Sequence, residues 1–393
     1  MNFPPADRIA SMKPYFFADL GERVAALVDS GVDVIRLDIG SPDLPPADFI
    51  VDALIDRVHQ PGAHAYTAFG GTPAYRRAVA EYYGRRFGVE LDPTTQVVGL
   101  IGSKEGIFTI NQVMLNPGDL VLVPDPGYGT YSISARIAGA EVHKMPLVAE
   151  NGFLPDLDAI PEDAAERAKM MWLNYPNNPT GAVADLDFFN RVIAFARRHE
   201  LLVAHDTPYI DVCYGGYIAP SILQVPGAEE WAVEFVSASK AYNMAGWRLG
   251  SAVGNPEVLD YIERYKSQKD TAHFEPVLHA GIQALTGDQG WIKERNRIYE
   301  KRIETIMAGL SAMGLDPVRP KAALYTWTRL PDGMDDVEFA GRLLNEAGVS
   351  VTPGSVFGER GRGYFRMSIC ISNERIVEAM DRMVAWMRTS MNE

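Results

Sequence analysis

The segment QVVGLIGSKEGIFTINQVML, residues 96–115, joins two kinds of hydrophobic pattern at one glycine, Gly102. Its first seven residues form a short apolar run rich in valine and isoleucine, which predicts a buried strand. The residues that follow, 103–115, have apolar positions at helical spacing and predict a helix that starts directly after the turn. A strand that turns at a glycine into a helix is the repeating unit of an α/β fold.

The same alternation continues through the middle of the chain. Further apolar runs end in turn signals and predict strands, with helical or turn segments between them. The clearest amphipathic helix is DLDFFNRVIAFARRHE at 185–200. This alternation predicts an α/β fold with a mostly parallel sheet flanked by helices. The later runs that predict strands are DLVLVPDP (119–126), AEVHKMPL (140–147), KMMWLNYP (169–176), ELLVAHDTP (200–208) and VEFVSASK (233–240).

Beyond about residue 285 the pattern changes to long helices mixed with isolated strands, which predicts a smaller α+β domain. We therefore expect an N-terminal arm with part of the small domain at 1–45, a large domain at 46–285 and a small C-terminal domain at 286–393. The elements predicted for the last domain are a helix at 290–315, a strand at 322–330, a helix at 335–347, a strand at 363–372 and a helix at 374–389.

Composition argues against several classes of protein. The chain has 393 residues and a formal net charge of −14, which argues against a nucleic-acid-binding surface. Its two cysteines, Cys213 and Cys370, imply no disulfide framework and fit a reducing compartment. No apolar run approaches the roughly 18–20 residues that cross a bilayer, and the histidines show no close metal-ligand spacing. We expect a cytoplasmic protein that binds neither metal nor membrane nor nucleic acid.

Polar residues stand where three of the predicted strands end. GSKEG at 102–106 opens a helix, whose free backbone N–H groups can bind an anion. NYPNNPTG at 174–181 places asparagine amides after a strand, although a proline-rich turn is the simpler structural explanation. Asp206 follows an apolar run, where a buried acid needs a cation or donors; a helix cap or turn is the alternative. Ligands of parallel sheets collect beyond the carboxyl ends of strands, so these residues are candidates for one site.

The segment SASKAYNMAGWRLG at 237–250 surrounds one lysine with small and phosphate-binding residues. The hydroxyls of Ser237 and Ser239 and the guanidinium of Arg248 are good phosphate ligands. In a dry pocket beside a cation, Lys240 would have a lowered pKa and could act as a nucleophile. A solvated side chain is the alternative for a lone lysine.

One ligand would need all of these groups, namely a phosphorylated aldehyde that carries a pyridine ring. A lysine forms a Schiff base with the aldehyde, while serines, an arginine and helix-start amides hold the phosphate. An aspartate keeps the pyridine nitrogen protonated, so that the ring accepts carbanion electrons, and a tyrosine and an asparagine hydrogen-bond the ring oxygen.

These motifs resemble the class I/II aminotransferases, which are pyridoxal 5′-phosphate enzymes of fold type I, over nearly the whole chain. The resemblance implies that Lys240 forms the Schiff base and moves the substrate proton, and that Asp206 pairs with the pyridine nitrogen. It implies that Tyr209 and Asn178 contact the ring hydroxyl oxygen and that Tyr128 stacks on the ring. The residues that match the phosphate-binding positions are Ser103, Lys104, Ser237, Ser239 and Arg248.

The resemblance also implies how the substrate and a second subunit are bound. Arg366 matches the arginine that grips the substrate α-carboxylate by two hydrogen bonds, although a lone arginine in a strand more often forms a surface ion pair. Gly40 matches the glycine near that carboxylate. Tyr66 matches a tyrosine that reaches the phosphate in the neighbouring subunit, which implies a homodimer with shared active sites. The family commonly has an acid where this chain has Ser41. This difference bears on the entrance of the site rather than on its chemistry.

Within the family, the segments KPYFFADL, GSKEG, NYPNNPTGA and SKAYNMAGWRLG resemble LL-diaminopimelate aminotransferases and their relatives. Tyr15 and Lys104 fall where such enzymes have residues near the distal end of the substrate. The chain is expected to move an amino group from an amino acid, with LL-diaminopimelate as a candidate, to a 2-oxo acid such as 2-oxoglutarate by a ping-pong mechanism. The alternatives are an aspartate- or alanine-type aminotransferase, a pyridoxal-phosphate lyase, and a non-catalytic regulator, which would need a basic DNA-binding segment that we do not expect here.

Overall fold

The computed structural model describes residues 3–10, 12 and 15–390. Its strands are β1 (Ile35–Arg36), β2 (Val97–Leu100), β3 (Leu120–Asp125), β4 (Glu141–Pro146), β5 (Ala168–Asn174), β6 (Leu202–Asp206), β7 (Ala232–Ser237), β8 (Gly250–Gly254), β9 (Tyr325–Arg329), β10 (Val349–Ser350), β11 (Thr352–Pro353) and β12 (Tyr364–Ser368). Its helices are α1 (Asp7–Ala10), α2 (Phe16–Asp29), α3 (Asp48–Val58), α4 (Pro73–Phe87), α5 (Ser103–Met114), α6 (Thr130–Ile137), α7 (Glu162–Arg167), α8 (Leu186–His199), α9 (Ala238–Ala241), α10 (Pro256–Lys269), α11 (Glu275–Thr286), α12 (Gly290–Ala312), α13 (Asp336–Ala347) and α14 (Asn373–Ser390).

The largest sheet has seven strands in the order β2-β8-β7-β6-β5-β3-β4. All neighbouring strands in it are parallel except where β8 pairs with β2 and β7. The predicted mostly parallel sheet is therefore confirmed, with one reversed strand. Since β5, β6 and β7 are parallel neighbours, their carboxyl ends meet at one edge.

Both faces of this sheet are covered by helices. Successive side chains of a strand point to opposite faces, so a strand that is apolar throughout has two apolar faces to bury. On one face, Trp172 of β5 stacks on Tyr131 of α6 with ring centroids 4.7 Å apart, next to side chains of α5 and α10. On the other face, the apolar sides of α4, α8 and α11 bury Tyr83 and Phe188. The predicted flanking of the sheet by helices is thus confirmed.

A smaller antiparallel sheet, in the order β11-β12-β9, packs with α12, α13 and α14 around a separate apolar cluster. The short strand β1, near the start of the chain, pairs in parallel with β10 and joins this part of the molecule. The long helix α12 runs for 23 residues and buries Tyr299, Ile303 and Leu310. Among the helices described, none is both long enough and apolar enough to cross a membrane.

Candidate active site

A cleft of about 550 Å³ lies beyond the carboxyl ends of β5, β6 and β7. Asn174, Asp206 and Ser237 are the last residues of these strands, so the parallel sheet brings them to one edge. All of the predicted site residues except Tyr66 line this cleft, namely Tyr15, Gly40, Ser103, Lys104, Tyr128, Asn178, Asp206, Tyr209, Ser237, Ser239, Lys240, Arg248 and Arg366.

Lys240 lies in α9, the short helix that follows β7, and Ser237 is the N-cap residue of that helix. The Lys240 Nζ donates a hydrogen bond to the carbonyl oxygen of Gly40 at 2.6 Å. Burial, helped by the positive charges of Arg248 and Arg366, lowers the pKa of Lys240 to about 8. An amine with this pKa is partly neutral near pH 7 to 8 and can therefore serve as a nucleophile or a base.

Asp206 is only 3% exposed, and its two carboxylate oxygens differ in their surroundings. Tyr131 Oη donates a hydrogen bond to Oδ2 at 2.8 Å, whereas Oδ1 is buried without a partner. Burial raises the pKa of Asp206 to about 7. A buried carboxylate oxygen without a donor is costly, so this geometry suits a ligand that brings an N–H group to Oδ1.

The N-terminus of α5 and the guanidinium of Arg248 meet at one end of the cleft. Gly102 precedes α5 with φ of +74°, and a methyl group on its Cα would clash with that guanidinium. Arg248 Nη1 donates to Ser239 Oγ at 3.4 Å and to the carbonyl of Ala245 at 2.8 Å. The helix-start amides, the guanidinium and the hydroxyls of Ser103 and Ser239 form a set of donors that suits a phosphate group.

Arg366, on β12, reaches the cleft from the smaller sheet and is 3% exposed. Its Nη1 donates to Asn178 Oδ1 and its Nη2 to the carbonyl of Asp38, both at 2.8 Å. Its Nε is buried without a partner, and its guanidinium carbon lies 4.1 Å from the ring centroid of Tyr325. These contacts fix the plane of a buried cation, and such a guanidinium is suited to bind a carboxylate.

Two tyrosines close the wall between the sheets. Tyr209 Oη lies 3.0 Å from Tyr325 Oη, and burial raises the pKa of Tyr209 well above its usual value, so its hydroxyl stays protonated at neutral pH. Tyr325 lies so close to Gly40 that any side chain at residue 40 would clash with its phenol. A glycine is therefore needed where the chain passes Tyr325.

Three further predicted residues that line the cleft are Tyr15, Lys104 and Tyr128. Lys104 Nζ lies 5.5 Å from the ring centroid of Tyr15, so this amine points towards Tyr15. The ring of Tyr128 contacts Tyr131 edge to face, with centroids 5.6 Å apart. Tyr66, by contrast, is 90% exposed and lies outside the cleft of its own chain.

Several residues that line the cleft were given no individual role by the sequence reasoning, among them Tyr131, Asn174 and Tyr325. Tyr131, in the first turn of α6, follows Tyr128 by three residues, a spacing that could have indicated that the two rings lie close together. Asn174 belongs to the NYPNNPTG motif, and its amide donates to the backbone oxygen of Asp206 at 2.7 Å. No comparable signal marks Tyr325, which is one of two aromatic residues in β9.

Known proteins resemble this chain over nearly its whole length. The family model for aminotransferase class I and II matches residues 32–383. This chain belongs to that aminotransferase family. An LL-diaminopimelate aminotransferase of Moorella thermoacetica is 49% identical to it, over 96% of this chain and 97% of the relative. Among solved structures, substrate-bound BacF of Bacillus subtilis has a TM-score of 0.94 at 35% identity, over 98% of both chains. A mutant of the Thermus thermophilus aspartate aminotransferase has a TM-score of 0.91 at 30% identity, over 98% of this chain and 100% of that one.

As a class I and II aminotransferase, the protein depends on pyridoxal 5′-phosphate and exchanges an amino group between an amino acid and a 2-oxo acid. The residues of the cleft fit this cofactor. The unpartnered Asp206 Oδ1 suits the pyridine N–H, and the donors around Arg248 suit the phosphate. The buried amine of Lys240 suits the aldehyde.

Proposed function

We propose that this aminotransferase uses LL-diaminopimelate as its amino donor and 2-oxoglutarate as its acceptor. The observation that carries the proposal is the 49% identity, over nearly the full length of both chains, to an enzyme named for that donor. A second such relative, from Syntrophobacter fumaroxidans, is also 49% identical, over 98% of this chain. An aspartate- or alanine-type donor and a lyase reaction are the alternatives that the experiment below tests.

The cofactor supplies an aldehyde that takes up amino groups and a ring that draws electrons from the bond beside it. We propose that Arg248, Ser103, Ser237 and Ser239 bind its phosphate. Asp206, whose Oδ1 is buried without a partner, would pair with the ring nitrogen and keep that nitrogen protonated. The residues that contact the rest of the ring in this proposal are Tyr128, Asn178 and Tyr209, supported by their position in the cleft.

Lys240 Nζ is proposed to take the proton from the substrate α-carbon. Its lowered pKa supports this role, because a neutral amine is present near physiological pH. Arg366 orients the substrate by binding the α-carboxylate, next to Gly40, and its own position is fixed by Asn178 and Tyr325. Tyr15 and Lys104, which face each other in the cleft, would contact the distal end of the donor.

We further propose a homodimer in which Tyr66 reaches the phosphate site of the partner subunit. Its 90% exposure supports this role, since the side chain is free to enter a second chain.

We retain the division into an arm at 1–45, a large domain at 46–285 and a small domain at 286–393, supported by the separate apolar clusters around the two sheets. A cytoplasmic location is supported by the two unpaired cysteines.

The test is a screen of amino donors against 2-oxoglutarate, with formation of glutamate as the readout. LL-Diaminopimelate is expected to give a higher kcat/KM than aspartate, alanine and aromatic amino acids. No activity with LL-diaminopimelate, together with activity towards another donor, would overturn the proposed substrate. With the donor alone, one 2-oxo acid per active site is expected, whereas continuous release of ammonia would indicate a lyase.

A further inference from the structure

Arg295 is a buried cation at the start of the long helix α12, outside the cleft. It is 2% exposed. Among the described residues it forms no ion pair with a carboxylate; its charge is instead placed among carbonyl oxygens and the rings of Trp291 and Tyr299. Burying a guanidinium without a carboxylate partner costs free energy, so the groups that Arg295 contacts indicate its role.

The donors of Arg295 converge on the backbone around the cofactor lysine. Its Nη1 donates to the carbonyl of Lys240 at 2.9 Å and also to the carbonyl of Ala241. Its Nη2 donates to the carbonyl of Asp211 at 2.9 Å and to Asn296 Oδ1 at 2.7 Å. One side chain on α12 therefore holds together the segment that carries Lys240 and the loop that follows β6.

The local structure of α9 explains why these carbonyls need a donor. The helix has only four residues, and the last carbonyls of any helix lack partners within it. Two of the amides that follow the helix, those of Tyr242 and Met244, both donate to the carbonyl of Ala238 instead. Arg295 thus supplies the hydrogen bonds that the lysine's own helix cannot supply.

A second contact from α12 supports the same segment one turn further along. Tyr299 Oη donates to Asn243 Oδ1 at 3.3 Å, and the Arg295 guanidinium carbon lies 5.5 Å from the centroid of the Tyr299 ring. Asn243 has a left-handed backbone, with φ of 55°, a conformation that is uncommon outside glycine and that asparagine tolerates better than most residues. The backbone after Lys240 is therefore held in place from α12 at two points.

We propose that Arg295 is a positioning residue for Lys240, fixing the backbone from which the lysine amine reaches into the cleft. The amine is held on the other side by its 2.6 Å hydrogen bond to Gly40, so both ends of the side chain are anchored. A displacement of about 1 Å at a reacting group costs roughly 100-fold in rate, which is the reason to fix this backbone. The inference rests on the proposed role of Lys240.

The experiment compares Arg295→Met with Arg297→Met in the holoenzyme. Arg297 lies on the same helix but is exposed, so it is the matched control for loss of one cation from α12. For Arg295→Met we expect kcat per bound cofactor to fall at least about 10-fold, with KM for the donor within about threefold of the wild type. When pyridoxal 5′-phosphate is added to the apoenzyme of Arg295→Met, we also expect the absorbance band of the bound cofactor to return at least about 10-fold more slowly than in the wild type, because Lys240 is misplaced.

The proposal is overturned if folded Arg295→Met keeps the wild-type kcat and the wild-type rate of absorbance recovery. A loss that appears only as less cofactor per chain, with kcat per bound cofactor unchanged, also overturns it, because that would be a purely structural role. If Arg295→Met does not fold, Arg295→Lys decides the matter. Its ammonium reaches fewer carbonyls, so kcat should fall about threefold or more, and an unchanged kcat would contradict the proposal.

Lys240→Ala separates this inference from the proposed function. That variant should show neither turnover nor the absorbance band that wild-type protein gives with the cofactor. If it retained both, the proposed role of Lys240 would be wrong. If it loses both while Arg295→Met behaves as the wild type, only the positioning role of Arg295 is wrong.

Discussion

Gly102 shows how a single residue shapes the phosphate end of the cleft. It lies between β2 and α5 with φ of +74°, and a methyl group on it would clash with Arg248. Gly102→Ala should therefore weaken binding of pyridoxal 5′-phosphate at least about 10-fold, by displacing the guanidinium, besides a backbone strain of about 1 kcal/mol. Absorbance titration of the apoenzyme with the cofactor measures the affinity.

The control for this prediction is Gly88→Ala. Gly88 also has a positive φ, of +68°, but nothing lies within 4 Å of the position of its Cβ. It should lose about the same stability while keeping wild-type affinity for the cofactor. Equal affinities of the two variants would show that the clash with Arg248 is unimportant.

Asp206 makes a second prediction at this scale, because one of its oxygens is hydrogen-bonded and the other is not. Asp206→Asn keeps the shape but removes the negative charge, so kcat should fall by roughly 100- to 1,000-fold, with a smaller loss in cofactor affinity. Tyr131→Phe removes only the hydrogen bond to Oδ2 and should cost less, about 10-fold or below. Steady-state kinetics at saturating cofactor measure both. A wild-type kcat for Asp206→Asn would contradict the proposed pairing with the ring nitrogen.

At the residue scale, local motifs identified candidate residues for the active site, but they could not predict which side chains contact one another. Lys240, Asp206 and Arg248 stand in motifs whose chemistry is visible in the chain, and the structure brings them to one cleft. Tyr325 could not be predicted, because its role depends on its contacts with Tyr209 and Arg366, which lie about 116 and 41 residues away along the chain. Such contacts are set by packing between elements, which local patterns do not record.

At the scale of elements, periodicity predicted the strands of the parallel sheet well, because buried strands read as continuous apolar runs. It did not predict β8, whose sequence GSAVG is short and consists mostly of small residues. It also did not predict α4, whose polar and apolar residues are not clearly separated on two sides of the helix. The reversed direction of β8 could not be predicted either. The direction of β8 is set by its antiparallel pairing with β2 on one side and β7 on the other, and not by its own sequence pattern.

The end of α8 gives a prediction at the same scale. Asp185 caps its start, accepting a hydrogen bond from the amide of Phe188 at 2.8 Å, but Glu200 ends it in a left-handed conformation with φ of 52°. Glycine adopts this conformation without strain, so Glu200→Gly should raise the free energy of unfolding by about 1 kcal/mol. Urea unfolding measures the change. Gly88→Ala, at the left-handed end of α4, should shift it in the opposite direction; a loss of stability in Glu200→Gly would contradict the argument.

For the whole molecule, the cleft depends on segments from both ends of the chain. Gly40, which follows β1, and Arg366, on β12, line it together with residues between Ser103 and Arg248, and β1 and β12 belong to different sheets. The sequence placed these residues in one site only through the family resemblance, because no local spacing joins positions more than 300 residues apart. The contribution of Tyr66 to a second subunit remains a prediction of the same kind.

The buried charges of the cleft make the stability of the apoenzyme depend on pH. The pKa of Lys240 falls from an ordinary 10.5 to about 8 in the folded state, so folding opposes its charged form. The penalty is complete below pH 8, declines as the pH rises, and is gone above 10.5, where both states are neutral. A difference of this size corresponds to about 3 kcal/mol.

Lys240→Met, which cannot carry a charge, should therefore be more stable than the wild-type apoenzyme near pH 7, and this advantage should shrink by about 3 kcal/mol between pH 7 and pH 10.5. The contacts that the lysine side chain makes in both of its protonation states change the stability of the variant equally at every pH, so the change with pH reports the protonation of the amine. Urea unfolding of the two apoenzymes at several pH values measures it. The control is Lys293→Met, at an exposed position on α12, whose difference from the wild type should stay flat. A flat difference for Lys240→Met as well would show that the lysine amine carries no buried charge and is not poised as the base.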